Sequence, residues 1–371
     1  MRFAPWTGNP LASASGFATH GAVATEKLRM RTRTQSILTE ADLPDFLAGL
    51  GLVPSGAAID VEPAGDGNIN WVRRVRAPDG TSWIVKQARP NLERFPEYQA
   101  PTERIVCEHR WLEAAAPFDD EDVCPEVVRF DEVDRVLVLA DFGGAERLDH
   151  ALARGAAVGP ALESIARLLG RLHAATSDAA LAPELASRFA NDGMRRLHGE
   201  HIFVLPLRPN DFPLAVELRA RASELRRDAA LVAAADRAYT RYLEPRGALV
   251  HADAQGGNVL LTRSGPKLLD AEIAHLGDPA FDVGTLVAHV LLAAIGRRDP
   301  DSATPGVRAI WRAYGESGGP ARHEDVARYA GLEVLRRTIG AARVAAVEDP
   351  ETGAAALDCA RELVCHPPDA P

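Results

Sequence analysis

Three short apolar stretches, Ala248 to Val250, Val259 to Leu261 and Lys267 to Leu269, interrupt a second half that otherwise reads as helix. Polar loops join them, and those loops concentrate the side chains capable of chemistry. Around them, Ile165, Leu168, Leu169 and Leu172 recur at the spacing of one helix face, as do Val283, Leu286, Val287, Val290 and Leu291. The first half has another texture. Ile59 to Glu62, Trp71 to Arg76 and Trp83 to Gln87 are rich in β-favouring residues and are separated by Gly and Pro-Asp-Gly turns, which predicts an antiparallel sheet. A short helix over Ala41 to Leu52 precedes it and a second over Glu103 to Ala114 follows. A buried strand, Arg135 to Ala140, then runs into Asp141-Phe142-Gly143-Gly144, whose glycines mark a linker. The order of elements predicts an α+β protein in two units.

Length and charge narrow the function. A chain of 371 residues holds two or three folded units at ~150 residues each. With 46% apolar and 25% charged residues it can bury a sizeable core. Acids outnumber bases 52 to 42, giving a formal charge of -10, and no basic stripe is present to follow a phosphate backbone. Nucleic-acid binding is disfavoured. Cys107, Cys124, Cys359 and Cys365 lie far apart without CxxC spacing, so neither zinc nor a disulfide framework is signalled, and a reducing, cytoplasmic setting is expected. The longest apolar run, Leu286 to Ile295, contains His289 and falls short of the ~20 residues a membrane helix needs. Residues 1 to 36, rich in Ser, Thr, Ala, Gly and Arg, read as a disordered extension; a transit peptide or a true start at Met30 are the alternatives. Symmetric dimers are common among soluble oligomers, so a homodimer is a fair expectation.

The strongest chemical signal is His251-Ala252-Asp253-Ala254-Gln255-Gly256-Gly257-Asn258. A carboxylate fixed on this loop can take a proton from a substrate hydroxyl, and an amide five residues on can reach a metal beside it. An ordinary Asx-rich turn is the bland alternative. The next strand ends in Asp270-Ala271-Glu272, where alternation in an extended segment would point both acids to one side, an arrangement that suits Mg²⁺. The rival is a solvated acidic turn, weakened by the apolar Leu268-Leu269 just before it, because burial makes unpaired charge expensive.

In the first half, Ala64-Gly65-Asp66-Gly67-Asn68-Ile69-Asn70 lies between two strands, and its glycines would let backbone N–H groups approach phosphates. Lys86 sits inside the apolar strand Trp83-Ile84-Val85-Lys86. Only three of the 42 Lys and Arg residues are lysines, so a lysine in a strand interior marks a place that needs a compact point charge. A snorkelling edge-strand lysine is the alternative. Glu108, on the expected helix, can pair with Lys86 or simply face solvent.

Taken together, a glycine turn, a strand lysine, a helical glutamate, a linker strand, an Asp/Asn loop and an acid pair are the parts used for phosphoryl transfer. The arrangement resembles the aminoglycoside-phosphotransferase branch of the protein-kinase-like fold, and within it is most similar to the methylthioribose kinases. The resemblance rests on Gly65-Asp66-Gly67-Asn68-Ile69-Asn70 with Ile84-Val85-Lys86-Gln87-Ala88-Arg89-Pro90, on the Asp-x-Glu form of Asp270-Ala271-Glu272, and on Leu335-Arg336-Arg337-Thr338-Ile339-Gly340. It spans roughly residues 50 to 365.

That resemblance implies a small antiparallel-sheet N-lobe over 37–141, a larger helical C-lobe over 142–371, and ATP and Mg²⁺ as cofactors. It implies Asp253 as catalytic base, with Asp270, Glu272 and Asn258 holding the metal. Gly65, Asp66, Gly67, Asn68 and Asn70 would lie along the ATP phosphates with Lys86 and its partner Glu108. The backbone around Leu139, Ala140, Asp141 and Phe142 would receive adenine. Arg336 and Arg337 would meet the sugar or the transferred phosphoryl group, Asp282 would brace the catalytic loop, and His251 would pack it. The implied acceptor is a ribose-like sugar, 5-methylthioribose above all, phosphorylated to its 1-phosphate in methionine salvage. Other readings are a kinase of aminoglycosides, another antibiotic or another deoxysugar, and a nucleotide-binding pseudokinase. The chain departs from the family in three places: Ala252 replaces a Gly, Asn258 stands where Ser is frequent, and 91–102 offers Phe95 and Tyr98 in place of a tryptophan signature.

Overall fold

The computed structural model describes residues 34–65, 69–93 and 99–368. Asp66, Gly67 and Asn68 of the expected phosphate loop, Phe95 and Tyr98, and residues 1–33 of the expected extension lie outside the described residues. The last two positions of that extension are tied to the sheet, Gln35 through its amide to the Ala88 carbonyl at 2.6 Å. Ser36 donates its N–H to Asp134 at 2.9 Å, and Gln87 donates its amide to the Ser36 carbonyl at 2.8 Å.

A five-stranded antiparallel sheet forms from β1 (Asp60–Pro63), β2 (Trp71–Arg76), β3 (Ser82–Gln87), β4 (Val127–Asp131) and β5 (Val136–Ala140), in the order β1-β2-β3-β5-β4. Helix α1 (Leu43–Gly49) covers one face and α2 (Arg104–Ala115) the other. The sequence of β5 explains why both are needed. Val136 and Val138 join Leu43, Leu47 and Trp71 in one apolar cluster, whereas Leu137 and Leu139 join Ile105 and Trp111 in a second. Successive strand residues face opposite ways, so a strand apolar at every position must be covered twice. The same pleat sorts β3: Trp83 and Val85 go to the α1 side, and Lys86, paired in register with Leu137, goes to the α2 side.

The larger apolar cluster continues from α2 and β5 into a helical lobe. That lobe comprises α3 (Leu148–Ala153), α4 (Gly159–Thr176), α5 (Ala182–Arg188), α6 (Asp192–Gly199), α7 (Val216–Leu225), α8 (Ala229–Tyr242), α9 (Ala280–Gly296), α10 (Thr304–Glu316), α11 (His323–Ile339) and α12 (Pro350–Cys365). Between α8 and α9 the chain builds most of two small antiparallel sheets, one of which gains an edge strand from just before α3. One pairs β7 (Ala248–Val250) with β10 (His275–Gly277); the other orders β6 (Glu146–Arg147), β8 (Val259–Thr262) and β9 (Gly265–Leu268). Architecture and class agree with the α+β, two-lobed reading. β4, β6 and β10 go beyond it: β4 has a mixed Val-Val-Arg-Phe-Asp pattern broken by a register shift, and β6 and β10 have two and three residues, too few to show a period.

Helix α9 is buried on nearly every side and packs against α11. Gly284 lets the two backbones meet, since a Cβ there would come 2.8 Å from Tyr329 Cβ and 2.9 Å from the Val326 carbonyl. Gly284→Ala is expected to cost about 1–3 kcal/mol, because overpacking must outweigh the usual helical gain of alanine. Gly315→Ala on α10, where nothing lies within 4 Å, is expected to leave the melting temperature equal or higher. Thermal melts of the two variants check the contrast.

Candidate active site

Lys86, Glu108, Asp270 and Glu272 come together where the lobes meet. The pleat of β3 turns Lys86 toward α2, and Glu108 on that helix places Oε2 at 2.6 Å from Lys86 Nζ. Asp270 pairs with the same ammonium from the other lobe. Burial alone would pull the Lys86 ammonium down, but the Asp270, Glu108 and Glu272 carboxylates outweigh it and hold it above its usual range. Lys86 does not snorkel; it is enclosed and charged.

Glu272 reaches this cluster by a route the alternation argument did not foresee. β9 ends at Leu268, Asp270 adopts a left-handed backbone with φ of +73°, and Glu272 sits in the turn that follows. The acids converge through this turn, not through an extended strand. Glu272 Oε2 accepts from the Asn70 amide at 2.6 Å, and Asn70 Oδ1 in turn accepts from Arg104 Nε at 2.9 Å. Asn70 therefore bridges the lobes as a hydrogen-bond link. Burial first, and then the Asp270 charge, push the Glu272 carboxyl up to about 7 against the pull of Lys86 and Arg104. Burial likewise pushes Glu108 up, with Lys86 opposing.

Among the described residues this cluster holds three carboxylates, Glu108, Asp270 and Glu272, against two cations, Lys86 and Arg104. A hard divalent cation bound through oxygen fits that imbalance, because it would supply the missing positive charge. Asn258 spends its amide nitrogen on Asp253, at 2.7 Å to Oδ2 and 3.0 Å to the carbonyl, which leaves its oxygen for another partner. No three-ligand group of His, Cys, Asp or Glu is preformed among the described residues, so a metal here would share phosphate oxygens.

The loop after β7 is held by Asp282 on α9. Its two carboxylate oxygens accept from the N–H groups of His251 at 2.7 Å and Ala252 at 2.8 Å, and His173 Nε2 lies 3.2 Å away. Burial would raise this carboxyl, yet the His173 contact and the loop N–H groups hold it low. Ala252 has φ of +66°, the left-handed conformation that favours glycine at this position. His251 packs edge-on against Trp111 at 4.8 Å and accepts from the Asp253 N–H at 3.2 Å, so it organises the loop. Asp253 itself is mostly buried: Oδ2 accepts from Gln255 at 3.1 Å as well as from Asn258, while Oδ1 has no hydrogen-bond partner among the described residues.

Arg336 and Arg337 on α11 both bind Glu333, at 3.1 Å and 2.6 Å. Arg337 also donates to Gln255 Oε1 at 2.5 Å, which links it through that amide to Asp253. Arg336 Nε is buried without a partner among the described residues. Burial lowers the Arg336 guanidinium, but Glu333 and Asp253 together keep it above its usual range.

At the linker, Leu139 is buried in the core and Ala140 pairs with Trp83. The Asp141 carboxylate is committed to Arg74 Nε at 2.8 Å, Ser82 Oγ at 2.9 Å and the Gly143 N–H at 3.0 Å, and Phe142 lies 5.4 Å from Lys267 Nζ. Gly65 turns with φ of +70°. Sequence reasoning passed over Arg104, Gln255, Glu333 and His198. Arg104 had a signal, since it precedes Glu108 by one helical turn on α2 and so shares its face; His198, 3.9 Å from Asp253 Oδ1, had none.

Comparison with known proteins agrees with this geometry. The chain is 28% identical over 350 residues to a methylthioribose kinase of a Geobacillus species, covering 85% of this chain and 87% of the relative. It is 26% identical over 353 residues to a methylthioribose kinase of Bacillus velezensis, covering 86% and 88%. Among solved structures, choline kinase LicA from Streptococcus pneumoniae shares the fold, with a TM-score of 0.50 at 16% identity over 88% of this chain and 98% of that one. With the phosphotransferase enzyme (APH) family matching residues 60–329, the chain belongs to that family and is a phosphotransferase acting on an alcohol group.

Proposed function

We propose that this phosphotransferase transfers the γ-phosphoryl group of ATP to the anomeric hydroxyl of 5-methylthioribose, giving the 1-phosphate in the cytoplasmic salvage of methionine. The observation that carries the reading is the arginine pair beside Asp253: Arg337 reaches it through Gln255, and Arg336 feels its charge directly. Because Arg336 and Arg337 balance Glu333 and Asp253, the site offers no surplus negative charge to a polycationic antibiotic, while it accommodates a neutral sugar and the charge developing on a phosphoryl group. Relatives named methylthioribose kinase match 85% or more of the chain, which supports the same acceptor.

Asp253 Oδ1 receives the proton as the sugar oxygen attacks phosphorus in line and the bond to the ADP oxygen breaks. Lys86, oriented by Glu108, contacts the ATP phosphates, with Gly65 at the start of the phosphate loop and the Leu139 to Phe142 backbone beside adenine. Asp270 and Glu272, with Oδ1 of Asn258, would hold Mg²⁺, which neutralises charge on the transferring group. Catalysis is then mainly positioning and charge neutralisation.

Two measurements test this. ADP release is expected with 5-methylthioribose and not with aminoglycosides, and Asp253→Asn is expected to lower kcat by about 10²–10⁴-fold while nucleotide still binds. Turnover of an aminoglycoside alone would overturn the acceptor, and an unimpaired Asp253→Asn would overturn the base. Glu272 supplies a pH test in chelator without nucleotide. Its carboxyl stands at about 7 in the fold against 4.5 unfolded, so its contribution is complete below the lower value and is lost as pH rises through the higher. Wild-type stability relative to Glu272→Gln is expected to fall between about pH 4.5 and 7. Buried neutral histidines such as His275, pushed down to about 4, act in the opposite direction but cancel in the difference.

A further inference from the structure

Directly opposite the base lies a second buried polar atom that the reaction as described leaves unused. His198 Nε2, on α6, is 3.9 Å from Asp253 Oδ1, too far for a hydrogen bond, and both atoms are buried without a partner among the described residues. A buried polar atom left unpaired costs about 1–3 kcal/mol, so two of them facing one another mark a place for something else. The imidazole cannot swing away to satisfy itself. Tyr242 holds its Nδ1 at 3.3 Å, Phe281 packs edge-on at 6.0 Å, and a Cβ on the adjacent Gly199 would come 2.6 Å from Tyr239, so α6 is seated tightly on α8. Burial, reinforced by Arg336, keeps the ring neutral, so Nε2 is a hydrogen-bonding group and not a counter-ion for Asp253.

Two atoms 3.9 Å apart are too distant to bond each other, and two adjacent hydroxyls of a sugar ring, whose oxygens lie about one hydrogen-bond length apart, can each bond one of them. We propose that His198 is a substrate-binding residue whose Nε2 hydrogen-bonds the hydroxyl next to the one Asp253 deprotonates, so that the site selects an acceptor with neighbouring hydroxyls. This rests on the sugar-kinase reading above. His198 thereby acts as a specificity determinant, and the acceptor is a vicinal diol, not an isolated alcohol.

The test compares kcat/KM for 5-methylthioribose and its 2-deoxy counterpart in wild type, His198→Ala and His198→Gln, with nucleotide affinity measured alongside. The wild type is expected to prefer the diol by about tenfold, the worth of one lost hydrogen bond at a buried site. In His198→Ala the diol should fall to the level of the deoxy sugar while the deoxy sugar barely changes, and His198→Gln, with an amide reaching a similar position, should restore part of the preference. Equal loss on both sugars would reduce His198 to a packing residue and overturn the proposal. Equal use of both sugars by the wild type overturns it without any variant. Turnover of an alcohol of another class, and of neither sugar, would instead remove the sugar reading and this inference with it.

Discussion

The buried carboxylate of Asp282 is the contact on which the rest of the site depends. It sits on α9, the most enclosed helix of the larger lobe, and gathers two successive loop N–H groups and His173 around itself. For both N–H groups to point at one carboxylate the loop must turn sharply, and the left-handed Ala252 is that turn. An alanine there carries a strain of about 1–2 kcal/mol that glycine would not, and hydrogen bonds to a buried charge, worth about 1.5–3 kcal/mol each, are sufficient to hold it. Asp253 follows immediately, so its position is inherited from a helix instead of being left to the mobility of a loop.

The lobes are joined by charge as much as by apolar contact. Lys86 and Glu108 belong to the sheet lobe, Asp270 and Glu272 to the helical lobe, and Asn70 and Arg104 complete the bridge. Breaking such a buried network by removing one member costs about 3–5 kcal/mol, because a charge is left without compensation. The network is also one positive charge short among the described residues, and burial first, then the nearby Asp270 charge, makes Glu272 hold its proton so far up the pH scale. The same contacts that join the lobes therefore also gather the carboxylates that a divalent cation would meet.

Much of this was legible in the sequence, and the failures have physical causes. Strands of regular pattern, the loop at 251–258 and the strand lysine could be read because period and residue type are local properties. Rarity of lysine proved a good guide to burial and an incomplete guide to chemistry. Lys267 is buried on β9 as Lys86 is on β3, yet it binds Asp122 at 2.6 Å and fastens the sheet lobe's approach loop to the helical lobe. Both positions hold a compact cation, and only the partners tell the two apart. The acid pair converged for a reason the sequence hid, since a left-handed Asp270 leaves no periodic trace. Arg104 and Glu333 act through contacts between elements distant in the chain, and His198 is a single histidine on a short helix with no pattern around it.

The balance of charge around Asp253 differs from that at Lys86, and the difference bears on what can be phosphorylated. Asp253 and Glu333 are matched by Arg336 and Arg337, so this side is neutral overall. Arg337 spends its fork on Glu333, Gln255 and the Ala342 carbonyl, and it holds the loop more than it offers charge. Arg336 keeps one buried N–H free, and His289 Nε2, 3.7 Å from Glu333, is also unpartnered among the described residues. A cationic acceptor would gain little from Asp253 while standing against Arg336. A neutral polyol would find donors and acceptors already fixed in place, and charge would become unbalanced only as the phosphoryl group arrives. Electrostatics of that kind stabilises the transferring group more than the resting acceptor, which is the condition for raising rate instead of merely tightening binding.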